Sequence, residues 1–152
     1  MTRTYDERLT APAGLWVLGW VLALMLGLAF WAALGPVAGL LAVVLPGAVA
    51  TVVLVRAAAV VRVEDGQLFA GPARIPVTAL GPVRALDPEQ ARRVRGPESD
   101  PAGYHLIRGW VPAGILAPVD DPADRTPYWF VATRRPAALA AAIEDARRTT
   151  SA

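Results

Sequence analysis

A run of 47 residues without one charged side chain, between Arg8 and Arg56, constrains this chain more than any other feature. All 15 basic and all 13 acidic residues lie outside that window. A soluble domain does not supply such a run, because its surface helices carry a polar face. A helix that crosses a bilayer, by contrast, needs about 20 consecutive apolar residues. The sequence therefore predicts an integral membrane protein.

The uncharged window divides at Gly35-Pro36 into two spans, residues 14–34 and 37–55. As helices they would be about 31 and about 28 Å long, close to the about 30 Å of a hydrocarbon core. Trp16 and Trp31 lie near the two ends of the first span, where aromatic anchors at the membrane interface are expected. The short connection predicts a tight helical hairpin whose two ends emerge on the same side.

The charges around the hairpin predict its orientation. Basic residues flank the spans, whereas the turn between them is uncharged, and the flanking residues are Arg3, Arg8, Arg56 and Arg62. The positive-inside rule then predicts a multi-pass protein of the cell membrane with both termini in the cytoplasm. We assign residues 1–13 to a cytoplasmic N-terminal tail, 14–56 to the transmembrane hairpin, 57–148 to a cytoplasmic domain and 149–152 to a disordered tail.

Small residues and one proline characterise the spans. Stripes of small side chains let helices approach closely, and they comprise Gly19, Ala23 and Gly27 in the first span and Gly39, Val43 and Gly47 in the second. Pro46 predicts a kink, because it has no N–H to donate to Ala42. We interpret the kink as a packing feature, with a hinge or a substrate groove as the alternative.

Short strands are predicted after residue 57. Val61 to Glu64 alternates apolar and charged side chains, and Asp65-Gly66 supplies the turn to a partner strand at 67–70. Pro76 makes residues 74–77 an edge-like strand. Further strands are predicted at 83–86, 104–110, 114–119 and 128–133, with helices at 88–95 and from Pro136 to about residue 148. The predicted fold class is α+β: the membrane hairpin followed by a small, partly open β-barrel or roll that the last helix caps.

The order of these elements resembles bacterial membrane proteins with a pleckstrin-homology-like (PH-like) domain. The chain resembles more closely family 3093 of the domains of unknown function, which is found in actinobacteria. The likeness rests on Tyr5, Glu7-Arg8-Leu9, Pro12, Arg95-Gly96-Pro97, Asp100, Tyr104, Trp110, Asp121-Pro122, Asp124, Thr126-Pro127-Tyr128-Trp129 and Thr133-Arg134-Arg135-Pro136. Because that family is uncharacterised, the resemblance implies fold and membrane location but no activity.

Two motifs could carry catalysis or metal binding. Asp120-Asp121-Pro122-Ala123-Asp124 has the DDxxD spacing with which prenyl synthases bind magnesium pyrophosphate, but Pro122 predicts a solvated turn instead of a helix. His105 is the only histidine, and we interpret it as a half-buried strand residue. The sequence has no cysteine and no glycine-rich phosphate loop. We therefore expect no catalytic residues, no metal and no cofactor.

Arginines and one tryptophan are the candidates for binding. Arg92, Arg93 and Arg95 form the densest basic cluster, Arg134-Arg135 adds a pair, and Trp110 is either an exposed anchor or a core residue. No stripe combines basic and aromatic residues at the density typical of nucleic-acid binding. The leading hypothesis is a non-enzymatic, membrane-anchored binding or assembly module for an unknown membrane-associated protein. The alternatives are anionic-lipid sensing through the arginines and a membrane enzyme acting on a lipid or prenyl substrate, and self-association is left open.

Overall fold

The structure is a computed structural model that describes residues 3–150. Two apolar helices are followed by strands of two sheets and a C-terminal helix, so the predicted α+β class is confirmed. The chain divides into two compact units. One is a helical unit, residues 10–58, and the other combines the residues through Leu9 with those from Ala59 onward.

The helical unit is a hairpin of α1 (Ala13–Leu34) and α2 (Pro36–Arg56). Gly35 joins them with a φ of 90°, a left-handed conformation that glycine adopts without steric cost. Pro36 then opens α2 at a position where its missing N–H is not needed. Both helices are long and apolar enough to cross a membrane, and most of their apolar side chains are exposed. The two predicted helices are confirmed to within one residue at each end.

Small residues form the contact between the two helices. The side of the hairpin that is buried contains Ala23, Gly27, Gly39 and Gly47. A Cβ atom added at Gly27 would overlap the Val43 side chain, and one at Gly47 would lie 2.9 Å from the Trp20 ring. The small residues thus allow an approach that larger side chains would prevent. The two predicted stripes face each other, and α2 stays helical through Pro46.

Sheet 1 contains four antiparallel strands in chain order: β1 (Arg3–Leu9), β2 (Ala59–Glu64), β3 (Gln67–Ala70) and β4 (Ala73–Pro76). Asp65 and Gly66 join β2 to β3 with φ values of 48° and 71°, the left-handed pair that a two-residue hairpin requires. β4 is an edge strand, as predicted, and it ends at Pro76, one residue before the predicted end.

The N-terminal segment differs from the sequence prediction. Residues 3–9 were assigned to a tail, but they form β1, and Leu9 pairs with Ala59 across the sheet. Tyr5, Glu7 and Leu9 alternate toward the core, and the inward-facing glutamate hides the pattern of a half-buried strand. The folded domain therefore begins before the helical hairpin and resumes after it.

Sheet 2 has the order β5-β7-β8-β6, with β5 at Arg84–Leu86, β6 at Tyr104–Leu106, β7 at Gly114–Pro118 and β8 at Tyr128–Ala132. β6 runs parallel to β8, whereas the other pairs are antiparallel. Between β5 and β6 lies α3 (Pro88–Arg95), whose N-cap Asp87 accepts the N–H groups of Glu89 and Gln90. The strand predicted at 104–110 ends at Leu106, and a loop follows.

Helix α4 (Pro136–Thr150) closes the domain. Its buried face contains Leu139 and Ile143, as predicted, and each such fully buried side chain contributes about 1.5–3 kcal/mol. Arg147 fastens the far end of α4, because its guanidinium donates to the carbonyls of Leu80 (2.5 Å) and Gly81 (2.8 Å). The helix includes residues 149 and 150, which were predicted to be disordered; residues 151 and 152 lie outside the described residues.

The predicted barrel is not closed. Within residues 3–150 the strands form two separate four-stranded sheets, each with its own two edge strands. One isolated bridge, between Leu80 and Val119, lies outside the named strands. The core contains the inward-facing apolar side chains of both sheets together with α4, for example Val61, Phe130 and Ile143.

Candidate functional site

A buried carboxylate, Glu7 on β1, joins the start of the domain to its end. The hydroxyls of Tyr5 and Thr133 both donate to Glu7 Oε2, over 2.7 and 2.5 Å. The backbone N–H of Arg134 donates to Glu7 Oε1 over 3.1 Å. Glu7 is 8% exposed and Thr133 is fully buried. We call the set of Tyr5, Glu7, Thr133, Arg134 and Arg135 the Glu7 network.

The local sequence explains why these groups meet. β8 ends at Ala132 and α4 begins at Pro136, so three residues make the turn between strand and helix. Within that turn, the backbone N–H of Arg135 donates to Thr133 Oγ1 over 3.0 Å. This contact orients the threonine hydroxyl, whose proton is directed at Glu7. The strand-to-helix junction thus presents a hydroxyl and an amide donor to the inward side of β1.

The side chains of Arg134 and Arg135 reach the backbone of β1. A guanidinium nitrogen of Arg134 lies 4.0 Å from Glu7 Oε1 and 3.4 Å from the carbonyl oxygen of Arg8. The Arg135 guanidinium donates to the carbonyl of Asp6 over 3.1 Å and lies 5.0 Å from the centre of the Tyr5 ring. The predicted arginine pair is therefore in contact with the N-terminal strand.

These contacts cover the free edge of sheet 1. The carbonyl of Val60 accepts the N–H of Gly71, so Val60 directs its backbone groups away from β1. Arg8 pairs with Val60, and in an antiparallel ladder such a residue also turns its own groups outward. Asp6, two residues earlier, does the same. The two guanidinium groups occupy these outward carbonyls, which disfavours pairing of another strand at this edge.

The protonation state of Tyr5 indicates that the Glu7 network has a structural role. Burial raises the pKa of the Tyr5 hydroxyl above its ordinary value of 10.0; the neighbouring Thr133 hydroxyl lowers this pKa, and Glu7 raises it further. Tyr5 therefore keeps its proton at neutral pH and continues to donate it. Because both hydroxyls already donate to one buried oxygen, the arrangement holds two distant chain segments together, β1 and the turn before α4.

A second polar cluster lies on sheet 2. His105 on β6 is half-buried, as predicted, and its Nε2 lies 3.1 Å from the Tyr128 hydroxyl and 3.4 Å from Ser99 Oγ. The same tyrosine oxygen accepts the N–H of Asp100 over 2.8 Å. These contacts fasten the loop before β6 onto β8.

Tyr104 connects the two sheets. Its hydroxyl donates to the carbonyl of Ala70 on β3 over 2.6 Å, and its ring lies 4.3 Å from that of Trp129, centre to centre. Burial raises the pKa of Tyr104, which nearby Arg108 lowers in part. Trp129 is a core residue.

A family model described as "Protein of unknown function (DUF3093)" matches residues 4–143. The chain belongs to the DUF3093 family. The match includes both apolar helices and the strands and turn that carry Tyr5, Glu7 and Thr133, so the resemblance to this family is confirmed. No curated protein and no solved structure matches the chain.

The densest predicted arginine cluster of this DUF3093 chain is divided by the structure. Arg92 and Arg93 are exposed on the last turn of α3. Arg95 instead packs against the domain: its guanidinium donates to the carbonyls of Ala91 and Pro112, each over 3.1 Å. Two arginines of the cluster, Arg92 and Arg93, are therefore exposed, and the third, Arg95, supports the fold.

Trp110 lies in the loop between β6 and β7 and is partly buried against the core. Its Nε1 atom and Arg108 Nε are buried without a hydrogen-bond partner among the described residues. The indole ring thus fills space at the edge of the core. Of the two sequence interpretations, packing describes Trp110 better than an exposed anchor.

The acidic segment 120–124 of the DUF3093 chain forms a turn, as predicted. Asp121 accepts the N–H of Ala123 and Asp124 accepts that of Thr126, each over 2.9 Å. The hydrogen bonds from Thr126 lower the pKa of Asp124. Both carboxylates thus stabilise their own loop, and within residues 3–150 no group of three His, Cys, Asp or Glu side chains is arranged to hold a metal ion.

On the helical hairpin, Trp16 is half-buried and Trp31 is 59% exposed. Their role as interfacial anchors stays a prediction. An apolar cavity of about 350 Å³ opens on the hairpin between Phe30, Leu41 and Pro46. The interpretation of Pro46 as part of a hinge or a substrate groove stays a prediction.

Sequence reasoning missed Tyr5, Glu7 and Thr133 as a connected set, although all three are among the residues that carry the family resemblance. A charged residue at an inward strand position was the available signal, because a buried carboxylate requires partners. Those partners lie 126 and 127 residues away along the chain, at a distance that no local pattern reveals.

Proposed function

We propose that this chain is a membrane-anchored, non-enzymatic binding or assembly module at the cytoplasmic face of the cell membrane. The observation that carries the proposal is the apolar surface of the hairpin. Twenty-one large apolar side chains of α1 and α2 are exposed, against two, Val60 and Ile107, in the rest of the described chain. Exposure of that apolar surface to water would be unfavourable, whereas the hydrocarbon core of a bilayer solvates it.

The flanking charges support the cytoplasmic side. Arg8 precedes α1 and Arg56 ends α2, whereas the turn at Gly35-Pro36 carries no charge. In a hairpin that crosses twice, both basic ends lie on one face of the membrane, and the positive-inside rule makes that face cytoplasmic. The domain, which continues from both ends, would then lie in the cytoplasm.

The domain is proposed to act by binding. Anchoring raises the local concentration of a domain for partners in the same membrane, and no new contact is needed for that gain. The two sheets and the C-terminal helix that packs on them support a PH-like roll, and we propose that this roll supplies the binding surface. Within sheet 1 the edge at β1 is covered and β4 ends in Pro76, and we propose the groove beside α4 as the surface for a protein partner. A cavity of about 240 Å³ lies there, lined in part by Asp65, Asp145 and Thr149.

Alkaline carbonate extraction tests the anchor. We expect the intact chain to stay in the membrane pellet, and its release into the supernatant would contradict the proposal. A control variant, Leu24→Arg with Val44→Arg, puts a charge into the middle of each helix at about 2.5–3.5 kcal/mol apiece and should be released.

Cysteine labelling tests the orientation. Because the sequence has no cysteine, a single introduced cysteine can report which side of the membrane a position occupies. Ala137→Cys should resist an impermeant maleimide in intact cells, whereas Leu34→Cys should react.

In-cell crosslinking followed by detergent extraction tests the binding role. We expect a reproducible membrane-associated partner with the full chain, and not with an unrelated helical hairpin at the same expression level. A chain that yields only random crosslinks at native abundance would overturn the role as a binding module while leaving the anchor intact.

Lipid sensing through Arg92 and Arg93 is a second candidate, supported by the exposure of both side chains. Glu89 and Glu98 lie close in sequence and oppose their charge. Binding to anionic vesicles that is unchanged in Arg92→Gln with Arg93→Gln would remove this candidate. The prenyl-enzyme alternative receives no support from segment 120–124, because two of its three carboxylates, those of Asp121 and Asp124, accept hydrogen bonds within the turn.

A further inference from the structure

One row of side chains crosses all four strands of sheet 1 on its outer face. Asp6 pairs with Arg62, Arg62 with Phe69, and Phe69 with Arg74. Residues directly opposite each other on one face of a sheet have neighbouring side chains. Asp6 and Arg74 are exposed, while Arg62 and Phe69 are half-exposed.

An aromatic ring lies at the centre of this row. The Arg62 guanidinium lies 4.5 Å from the centre of the Phe69 ring and 3.5 Å from the Glu64 carboxylate. Val60, one of two exposed large apolar residues that the structure describes outside the hairpin, is 39% exposed on the same face. Two open cavities flank the ring, of about 230 Å³ beside Val60 and about 290 Å³ beside Glu64. We call Arg8, Val60, Arg62, Phe69 and Arg74 the Phe69 face.

Charge is graded along the strands of this face. The rows nearest in sequence to the hairpin contain Arg8, Arg62 and Arg74 against the single acid Asp6. The row at the other end of β2 contains Glu64, and the turn beyond it contains Asp65. The positive, apolar part of the face is therefore the part that adjoins the ends of the two helices in the chain: Arg8 lies five residues before α1, and Val60 lies four residues after α2.

We propose that the Phe69 face binds the anionic lipid surface of the membrane in which the hairpin is anchored. The inference rests on the proposed anchoring. Arginines supply attraction to lipid phosphates, and Phe69 and Val60 supply apolar side chains for the interfacial layer. Each arginine held near an anionic surface increases the equilibrium constant for binding that surface about fivefold, and salt weakens this effect.

Lipid fits this surface better than an acidic protein, because Arg8 and Val60 lie only five and four residues from the helices that anchor the domain to the bilayer. A protein would have to compete with lipid at a far higher local concentration. The Phe69 face also has a more favourable charge than the exposed pair Arg92 and Arg93, which acids flank on both sides in the sequence.

Fluorescence quenching in reconstituted vesicles tests the proposal. Pro72→Cys carries a fluorophore, because Pro72 is exposed and follows Gly71, which lines the cavity beside Val60; Ala137→Cys on α4 is the control position. Vesicles contain phosphatidylcholine alone or with one third phosphatidylglycerol, plus a lipid bearing a nitroxide headgroup. We expect quenching at position 72 to increase severalfold in the anionic vesicles and to fall again at high salt, with little change at position 137.

Charge variants make the test specific. Arg8→Gln with Arg74→Gln, which keeps the contact between Arg62 and Phe69, should abolish the increase. Arg92→Gln with Arg93→Gln should retain it. Equal quenching in both vesicle types, or an increase that survives the first variant, would overturn the proposal. Carbonate treatment of the same vesicles separates the two failures: a released chain refutes the anchor, whereas a retained chain without quenching refutes only the lipid contact.

Discussion

Replacing Glu7 with glutamine tests whether the Glu7 network holds the domain together. The carboxylate accepts three hydrogen bonds, from the hydroxyls of Tyr5 and Thr133 and from the N–H of Arg134. The glutamine amide has one oxygen and one NH2 group in place of the two carboxylate oxygens. In one orientation the NH2 group faces the two hydroxyls, and in the other it faces the N–H of Arg134, although all three of these groups donate in the native protein. Either the hydroxyls turn round, or the Arg134 amide loses its acceptor.

The magnitude follows from the kind of bond that is lost. Hydrogen bonds to charged groups contribute about 1.5–3 kcal/mol, against about 0.5–1.5 kcal/mol for neutral ones. Three bonds that each lose about 1 kcal/mol give about 3 kcal/mol, and relief of burying a charge reduces this to about 2–3 kcal/mol. For a domain of this size the melting temperature should fall by about 10 to 20 °C.

The assay is thermal unfolding of the full chain in detergent, followed by near-ultraviolet circular dichroism. Glu98→Gln makes the same chemical change at an exposed loop position and should alter the free energy of unfolding by less than about 0.5 kcal/mol. Thr133→Val completes a double-mutant cycle with Glu7→Gln, and we expect the two losses to be less than additive. If Glu7→Gln melts together with Glu98→Gln, the reasoning is refuted.

Three further predictions concern other parts of the chain. Gly27→Leu should force α1 and α2 apart, because even a Cβ atom at position 27 overlaps the Val43 side chain. Gly14→Leu is the control, since an added side chain there meets open space, and the two variants are compared by crosslinking α1 to α2 in detergent. The contribution of Tyr5 to the free energy of unfolding should be constant below about pH 10 and fall above it, because the raised pKa of Tyr5 favours the neutral hydroxyl in the folded state. Tyr5→Phe should therefore give a shallower decline of stability in melts at graded alkaline pH, and equal slopes would contradict the assignment. Asp87→Ala should cost about 1 kcal/mol by removing the cap of α3, and denaturant unfolding that shows no loss would contradict the role of the cap.

Local patterns predicted the parts of the fold that local chemistry determines. The uncharged window gave the two helices, Asp65-Gly66 gave the tight turn between β2 and β3, and Asp87 gave the start of α3. In each case the residues that decide the structure are neighbours in sequence. Pro76 likewise marked the edge position of β4, because its missing N–H acts at that position alone.

Contacts between residues far apart in the chain could not be predicted from the sequence. β1 was assigned to a tail, because its inward Glu7 breaks the apolar alternation and its partner strand lies beyond the hairpin. The parallel pairing of β6 with β8 and the contact of Arg134 with β1 have no local signature either. Of the candidate site, the sequence supplied Arg134 and Arg135 as a basic pair, but not the carboxylate that they surround. Arg95 was grouped with Arg92 and Arg93 by proximity, although its side chain packs the other way.

The pairing of Leu9 with Ala59 has a practical consequence for cutting this protein into parts. A fragment that starts after α2 would lack the first strand of sheet 1, and Thr133 would lose its acceptor, so it should aggregate. A fused version that links Leu9 to Ala59 through two residues such as Asn-Gly follows the antiparallel register and replaces the hairpin with an ordinary β-turn. The shortened loop costs less closure entropy, and the fused polypeptide should be recovered from the supernatant without detergent.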